Sequence, residues 1–271
     1  MLVTVDTHTH SAFSADATEG MTIENMCEEA LKKGLTMLAI TDHYDLPMPK
    51  FHFDIAKRKE IILQAKEKYK GRLTLLHGVE LGEPVSDYKE AERILKEGDF
   101  DIVLASAHAV TGSEDFYDLP YKELSDAELL SLWEQYLSEL LTMAKHGKIS
   151  VLSHIRYPER YYRREGRAEL LQLDKKAKTY FEPIFKAMIE RGIFPEINVK
   201  APLQPGREPD PGLELLKFYK ELGGEYVTTG SDAHRLVNIG ANCGIAGELL
   251  EAAGLSFVRD PEQFSVWKNT K

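Results

Sequence analysis

The sequence predicts an α/β fold of seven strand–helix units on a mostly parallel sheet, closed into one domain. Three features predict it. Short apolar runs alternate with longer helical patterns along the whole chain, these runs lack strict polar alternation, and histidines and carboxylates recur just past them. The strand candidates, in order, are 2–7, 36–41, 73–79, 101–106, 149–153, 193–198 and 225–230. A run such as Ile102-Val103-Leu104-Ala105 fits a strand covered on both faces, as in parallel sheets flanked by helices. Helical spacing occupies 22–33, 54–70, 87–97, 124–146, 174–191, 211–222 and about 240–253. Within the first of these, Ile23, Met26, Cys27, Ala30 and Leu31 share a face, and Gly34 follows as a C-cap. Gly147 ends 124–146 in the same way. The proline-rich 201–212 follows a strand and reads as a loop. No Pro/Gly/Ser linker interrupts the chain, so residues 1–271 are read as one domain.

Composition narrows the function. Lys and Arg total 34 against 44 Asp and Glu, and the net charge of −10 repels polyanions, which argues against a general nucleic-acid binder. With 43% apolar and 29% charged residues the chain has the make-up of a soluble globular protein. No apolar run approaches the roughly 18 residues that span a bilayer. The first residues lack the basic and apolar regions of a secretory signal, and Cys27 and Cys243 are too few for a disulfide framework. A cytoplasmic protein with no membrane or nucleic-acid partner is expected, its oligomeric state open.

The placement of the nine histidines is more specific. His8 and His10 close the first strand with both rings on one side of the pleat. His43 follows the second strand, Glu80 the third, His108 the fourth and His154 the fifth, and Asp232 and His234 follow the seventh. The C-terminal ends of parallel strands converge on one face, where such folds carry their active sites. Six imidazoles and several carboxylates gathered there suit first-row divalent ions. His52, His77 and His146 are read as packing or helix-end residues.

The combination of His8-Thr9-His10, Thr41-Asp42-His43, Glu80, His108, His154 and Asp232-Ala233-His234 resembles the PHP family, named for polymerase and histidinol phosphatase. The resemblance spans essentially the whole chain, and residues 8–16 and the order of later ligands are most similar to the histidinol-phosphate phosphatase branch. It implies a distorted, TIM-like (β/α)7 barrel holding three divalent metal ions, Zn, Mn or Fe. It would put His8, His10, Glu80 and Asp232 on the first ion, and His43, His234 and Asp16 on the second, with Asp232 open to sharing. Glu80 would bridge to a third ion held by His108 and His154. Asp16 stands where some relatives have histidine, an anionic donor in place of a neutral one; an aspartate in a polar loop is otherwise a turn residue. The implied reaction is hydrolysis of L-histidinol phosphate to L-histidinol and inorganic phosphate, in histidine biosynthesis.

The residues can support that chemistry. Three divalent cations against three carboxylates leave a site of about +3, or about +2 with a bridging hydroxide, which attracts one phosphomonoester dianion despite the acidic chain. Water on such ions has its pKa lowered from about 16 to about 7. The leaving alkoxide would take a proton from Asp42, Asp232 or a metal-bound water, although Asp42 also reads as a carboxylate orienting a ligand histidine. Phosphate contacts are expected from Arg160, in the arginine-rich 155–164, and from Lys200. Phe13 and Tyr161 are candidates to face an imidazole. Two other readings keep the metals: a phosphatase for phosphotyrosine protein or DNA ends, the latter opposed by the net charge, and a non-catalytic metal-binding module, opposed by the full ligand set. The chain has no Gly-x-Ser-x-Gly elbow for a serine hydrolase.

Overall fold

The computed structural model describes residues 2–200 and 208–269. Its strands are β1 (Val5–Asp6), β2 (Met37–Ile40), β3 (His43–Asp45), β4 (Thr74–Gly82), β5 (Ile102–Ser106), β6 (Val151–Leu152), β7 (Phe194–Asn198), β8 (Tyr226–Gly230) and β9 (Ser256–Phe257). The order is β1-β2-β4-β5-β6-β7-β8-β9 with β3 beside β4, and every pairing between these strands is parallel. The first and eighth strands meet at their C-terminal ends. Thr7 N donates to Thr229 O, Asp232 N to His8 O and His10 N to Ala233 O, while Thr229 Oγ1 donates to Val5 O. Lower on the same edge of β8, Ser256 N donates to Glu225 O and Val258 N to Val227 O. The short β9 therefore fills the lower part of the seam and β1 the upper, which gives a distorted barrel closed at the end where the candidate ligands lie.

Two differences from the sequence expectation bear on the site. The second strand is split: β2 pairs with Thr74–His77 and β3 with Glu80–Gly82, and Thr41 and Asp42 lie between them. The third strand runs on to Gly82, so Glu80 lies inside β4, opposite His43 and Leu104, rather than past its end. Glu83, at φ 51, stops it. The two-residue β9 is too short to leave a pattern.

The helices are α1 (Ile23–Lys32), α2 (Ile55–Tyr69), α3 (Tyr88–Gly98), α4 (Asp126–His146), α5 (Glu159–Arg164), α6 (Leu173–Arg191), α7 (Leu213–Glu221) and α8 (Cys243–Ala253). Side-chain caps set several starts. Thr22 accepts from Asn25 N, Asp54 from Lys57 N and Asp87 from Lys89 N and Glu90 N; Ser125 and Glu128 form a capping box. Each such cap contributes about 1 kcal/mol. Helix α4 turns Leu129, Trp133, Tyr136, Leu140 and Met143 into the core, where each buried side chain contributes roughly 1.5–3 kcal/mol. Of the expected 201–212 loop, residues 201–207 lie outside the described residues; beyond them Asp210 bridges back to Asn198. No described helix is long and apolar enough to cross a membrane.

A buried ion pair underlies the mouth of the barrel. Arg58, on α2, has no exposed side-chain surface; its Nη1 donates to Asp42 Oδ2 at 2.8 Å, its Nη2 to Gly78 O, and its guanidinium lies 4.1 Å over Phe53. Replacing Arg58 by Met would strand the Asp42 charge without a counter-ion. The expected loss is about 3–5 kcal/mol of unfolding free energy in a denaturant titration; a loss under about 1 kcal/mol would show that the pair is dispensable.

Candidate metal centre

Glu80 occupies the centre of the mouth and is fully buried. Its Oε2 lies 3.0 Å from His43 Nδ1, 3.2 Å from His8 Nε2 and 3.5 Å from His10 Nε2. Its Oε1 lies 2.8 Å from His154 Nε2 and 3.4 Å from His108 Nε2. Asp232 Oδ1 stands 3.3 Å from His10 Nε2, 3.4 Å from His234 Nδ1 and 4.0 Å from His8 Nε2. Asp16 Oδ2 is 3.0 Å from His234 Nε2 and 3.7 Å from His43 Nε2. The nine residues expected at the metal centre are thus brought together from across the barrel. The other three histidines are elsewhere: His52 stacks on Tyr44, His77 packs against Phe100, and His146 ends α4.

The donor chemistry of this nest fits cations. His8 Nδ1 donates to Glu196 Oε1 at 2.6 Å, and His234 Nδ1 to Asp232 O at 2.9 Å. His10 Nδ1 faces Ser14 Oγ at 3.2 Å; that hydroxyl gives its own hydrogen to Asp42 Oδ1, so it accepts from the ring. All three rings are thereby assigned as Nδ1-protonated, with Nε2 lone pairs turned inward. His8 Nε2 and His10 Nε2 then face each other at 3.1 Å beside Glu80 and Asp232. Such lone pairs and carboxylates repel unless positive charge lies among them. Glu80 Oε2, His43 Nδ1, His154 Nδ1 and His234 Nε2 are also buried without a hydrogen-bond partner. In the metal-free chain, protons supply part of that charge. Burial disfavours the His8 cation, but Glu196, Glu80 and Asp232 outweigh it and raise its pKa well above the ordinary value. His43 rises to about 9 as Glu80 and Asp45 likewise overcome burial, whereas burial and the neighbouring His234 and His43 hold His10 well below.

Backbone strain accompanies the site. His154 and Asp232 have φ of 24° and 51°, in the left-handed region that residues other than glycine seldom adopt. His154 is held there by its N–H donating to Glu196 Oε2 at 3.0 Å, and Asp232 by its N–H donating to His8 O. Three carboxylates here escaped the sequence reading. Glu196 contacts His8 and His154. Asp45 lies 3.6 Å from both His43 Nδ1 and His108 Nδ1. Glu83 Oε1 accepts from His108 N and Ala109 N, and burial next to Asp45 pushes its carboxyl up to about 8. The available signal was an acidic residue in or beside a strand covered on both faces, where an unpaired carboxylate is costly.

The surroundings of Asp42 favour its reading as an orienting carboxylate over that of a proton donor. Its carboxylate is wholly buried and accepts from Ser11 N at 2.6 Å, Ser11 Oγ, Ser14 Oγ and Arg58, so it has no open path to a substrate. The geometry fits its other reading: through Ser14, which also accepts from His43 N, Asp42 orients His10 and His43. Asp232 is held in its ionised form in the metal-free chain. Burial raises its pKa, but Lys200, His8 and His10 outweigh it and keep the carboxyl well below its usual range. Lys200 Nζ donates to Asp232 Oδ1 at 2.9 Å. The Arg160 guanidinium lies 4.7 Å over Tyr157, whose ring is 5.0 Å from that of His108. Tyr161 OH donates to Tyr157 OH, and Phe13 packs edge-on against Phe53.

A histidine- and carboxylate-lined nest at the C-terminal mouth of a parallel α/β barrel defines a class of metal-dependent proteins. The family described as "PHP domain" matches residues 6–200. A "Probable histidinol-phosphatase" of Clostridium acetobutylicum is 32% identical over 254 residues, 92% of this chain and 94% of that protein. The "Histidinol-phosphatase" of Lactococcus lactis subsp. lactis is 25% identical over 274 residues, covering 98% of this chain and 97% of its own. The crystal structure of the Lactococcus lactis histidinol phosphate phosphatase, in complex with zinc, L-histidinol and phosphate, has a TM-score of 0.74 at 24% identity and covers 95% of this chain and 96% of that one. The chain belongs to the PHP family.

Metal uptake should be linked to pH. The His43 pKa is raised from 6.5 to about 9, so its charge stabilises the metal-free fold below pH 6.5 and that contribution is lost as pH rises through 9. A metal needs the unprotonated ring, so affinity should climb over the same window with release of protons. Thermal scans should therefore show a larger metal-induced rise in Tm at about pH 8.5 than at about pH 6. Equal shifts would contradict the assignment.

Proposed function

We propose that this chain is a metal-dependent phosphomonoesterase that hydrolyses L-histidinol phosphate to L-histidinol and inorganic phosphate. The observation that carries the hydrolase reading is Glu80, whose two oxygens face separate sets of imidazoles, one of which, His108, packs against the Tyr157 ring that Arg160 covers. The names of the relatives supply the substrate.

Three divalent cations, Zn, Mn or Fe, would be held with His8, His10, Glu80 and Asp232 on one, His43, His234 and Asp16 on the second, and Glu80, His108 and His154 on the third; the donor atoms that lie within 4.8 Å of one another group as His8, His10 and Asp232, as His10, His43 and His234, as His8, Glu80 and His154, and as His43, Asp45 and His108. When bound, such ions supply Lewis-acid activation of water and of phosphoryl oxygens. The remaining work falls to the chain. Among the described residues no carboxylate pairs with Arg160, so its planar fork is free to take two phosphoryl oxygens. Tyr157 and Tyr161 pack against that guanidinium and aim it. Lys200 Nζ brings a second positive charge and keeps Asp232 ionised as a ligand. In the reaction a water oxygen bonds to phosphorus as the ester P–O bond breaks, and the departing alkoxide takes up a proton to become the alcohol. The local charge draws one small dianion to a chain of net charge −10. Cys27 and Cys243 are both free, which suits a reducing cytoplasm.

Phosphate release from the metal-loaded protein, assayed with histidinol phosphate, phosphoserine and phosphotyrosine, tests the reading. The expected result is the highest kcat/KM with histidinol phosphate and loss of turnover on chelation. A preference for phosphotyrosine would overturn the substrate and keep the chemistry. Arg160→Ala should lower kcat/KM by about 10- to 100-fold, the worth of a charge-assisted contact, with metal content unchanged.

A further inference from the structure

We propose that Glu196, on β7, is a positioning residue that presents His8 and His154 to the centre together, so that the ions these two histidines hold are gained and lost as a pair. The inference rests on the metal-centre reading above. Glu196 has no exposed surface, and each of its oxygens has a separate duty. Oε1 accepts from His8 Nδ1 at 2.6 Å, which leaves Nε2 as the donor atom facing Glu80 and His10. Oε2 accepts from His154 N at 3.0 Å, on the residue whose φ of 24° needs an external hold. Asn198 Nδ2 steadies the same oxygen at 3.3 Å and reaches Asp232 Oδ2 at 3.4 Å.

A second observation supports the close fit. Gly230, on the neighbouring strand β8, lies directly against the Glu196–His8 contact: a Cβ there would fall 2.1 Å from Glu196 Oε1 and 2.4 Å from His8 Cβ. The absence of a side chain at 230 lets the carboxylate reach the ring. In the ligand sets proposed above, His8 would belong to the first ion and His154 to the third with Glu80 common to both, and the donor atoms of His8, Glu80 and His154 lie within 4.8 Å of one another. Glu196 thus repeats from outside the nest the link that Glu80 makes at its centre.

Glu196→Gln tests this, because His8 Nδ1 and His154 N donate to different oxygens of the carboxylate, and the amide puts a donor-only NH2 at one of those two positions. Chelator competition on the full-length protein, with zinc as the probe, should show affinity reduced by about 10- to 100-fold, the usual effect of removing a carboxylate behind a ligand histidine. Two zinc ions should leave together while the third remains. Nitrogen-edited NMR of the zinc-loaded wild-type protein should find His8 protonated at Nδ1, a measurement that needs no folded variant. The inference is overturned if Glu196→Gln keeps wild-type zinc affinity and content, if the ions leave singly, or if wild-type His8 carries no Nδ1 proton. Failure of the wild-type protein to bind zinc, manganese or iron would instead remove the metal-centre reading itself.

Discussion

A carboxylate sealed from water needs compensating charge, and much of this molecule's upper half is arranged around that need at Glu80. Its two oxygens meet five imidazoles at 2.8–3.5 Å, contributed from beyond β1, from β3, and from beyond β5 and β6. An isolated charge at that depth would be very unfavourable. Protons on the rings or cations among them remove the penalty, and the inward-facing lone pairs of His8 and His10 favour cations. The same constraint explains the outer carboxylates. Glu196 behind His8, and Asp45 beside His43 and His108, hold the rings from the far side.

The barrel's irregularities lie close to this centre. The break between β2 and β3 frees Asp42 to gather Ser11 and Ser14 beneath His10, with Arg58 as its counter-ion. The short β9 takes the lower half of the seam, so β1 and β8 meet only at the top, where their continuations carry His8, His10, Asp232 and His234. Left-handed backbone at His154 and Asp232 falls at that same end. Strain of this kind persists where the surroundings over-determine it.

Electrostatics at two scales reconcile an acidic chain with an anionic ligand. The net charge of −10 acts over the whole surface and is screened within about 8 Å at physiological salt. Cations held around the buried Glu80 would act in a low-dielectric mouth, where each charge counts for more, and the partly exposed Lys200 adds a positive charge beside Asp232. An extended polyanion meets the first field along its length, whereas a small dianion meets chiefly the second.

Much of the strand and helix succession, and eight of the nine residues that gather at the mouth, were legible in the chain because both follow local rules, whereas Asp16 entered only through the family resemblance. Apolar runs and helical spacing mark the elements, and a parallel sheet brings the residues at its strand ends to one face. What the order of residues could not show were relations set by packing between distant strands. Glu196 looks like any acid in an apolar strand until β1 and β6 bring His8 and His154 to its two oxygens. Asp42 follows a strand end just as His43 does, and only Arg58, from the next helix, shows that it faces down into the core rather than up toward a substrate. The sequence by itself determined which donors are available and at which end of the barrel they gather. Tertiary structure decided which nitrogen of each ring faces inward, because that depends on the hydrogen-bond partner behind the ring, and those partners lie 2 to 188 residues away along the chain.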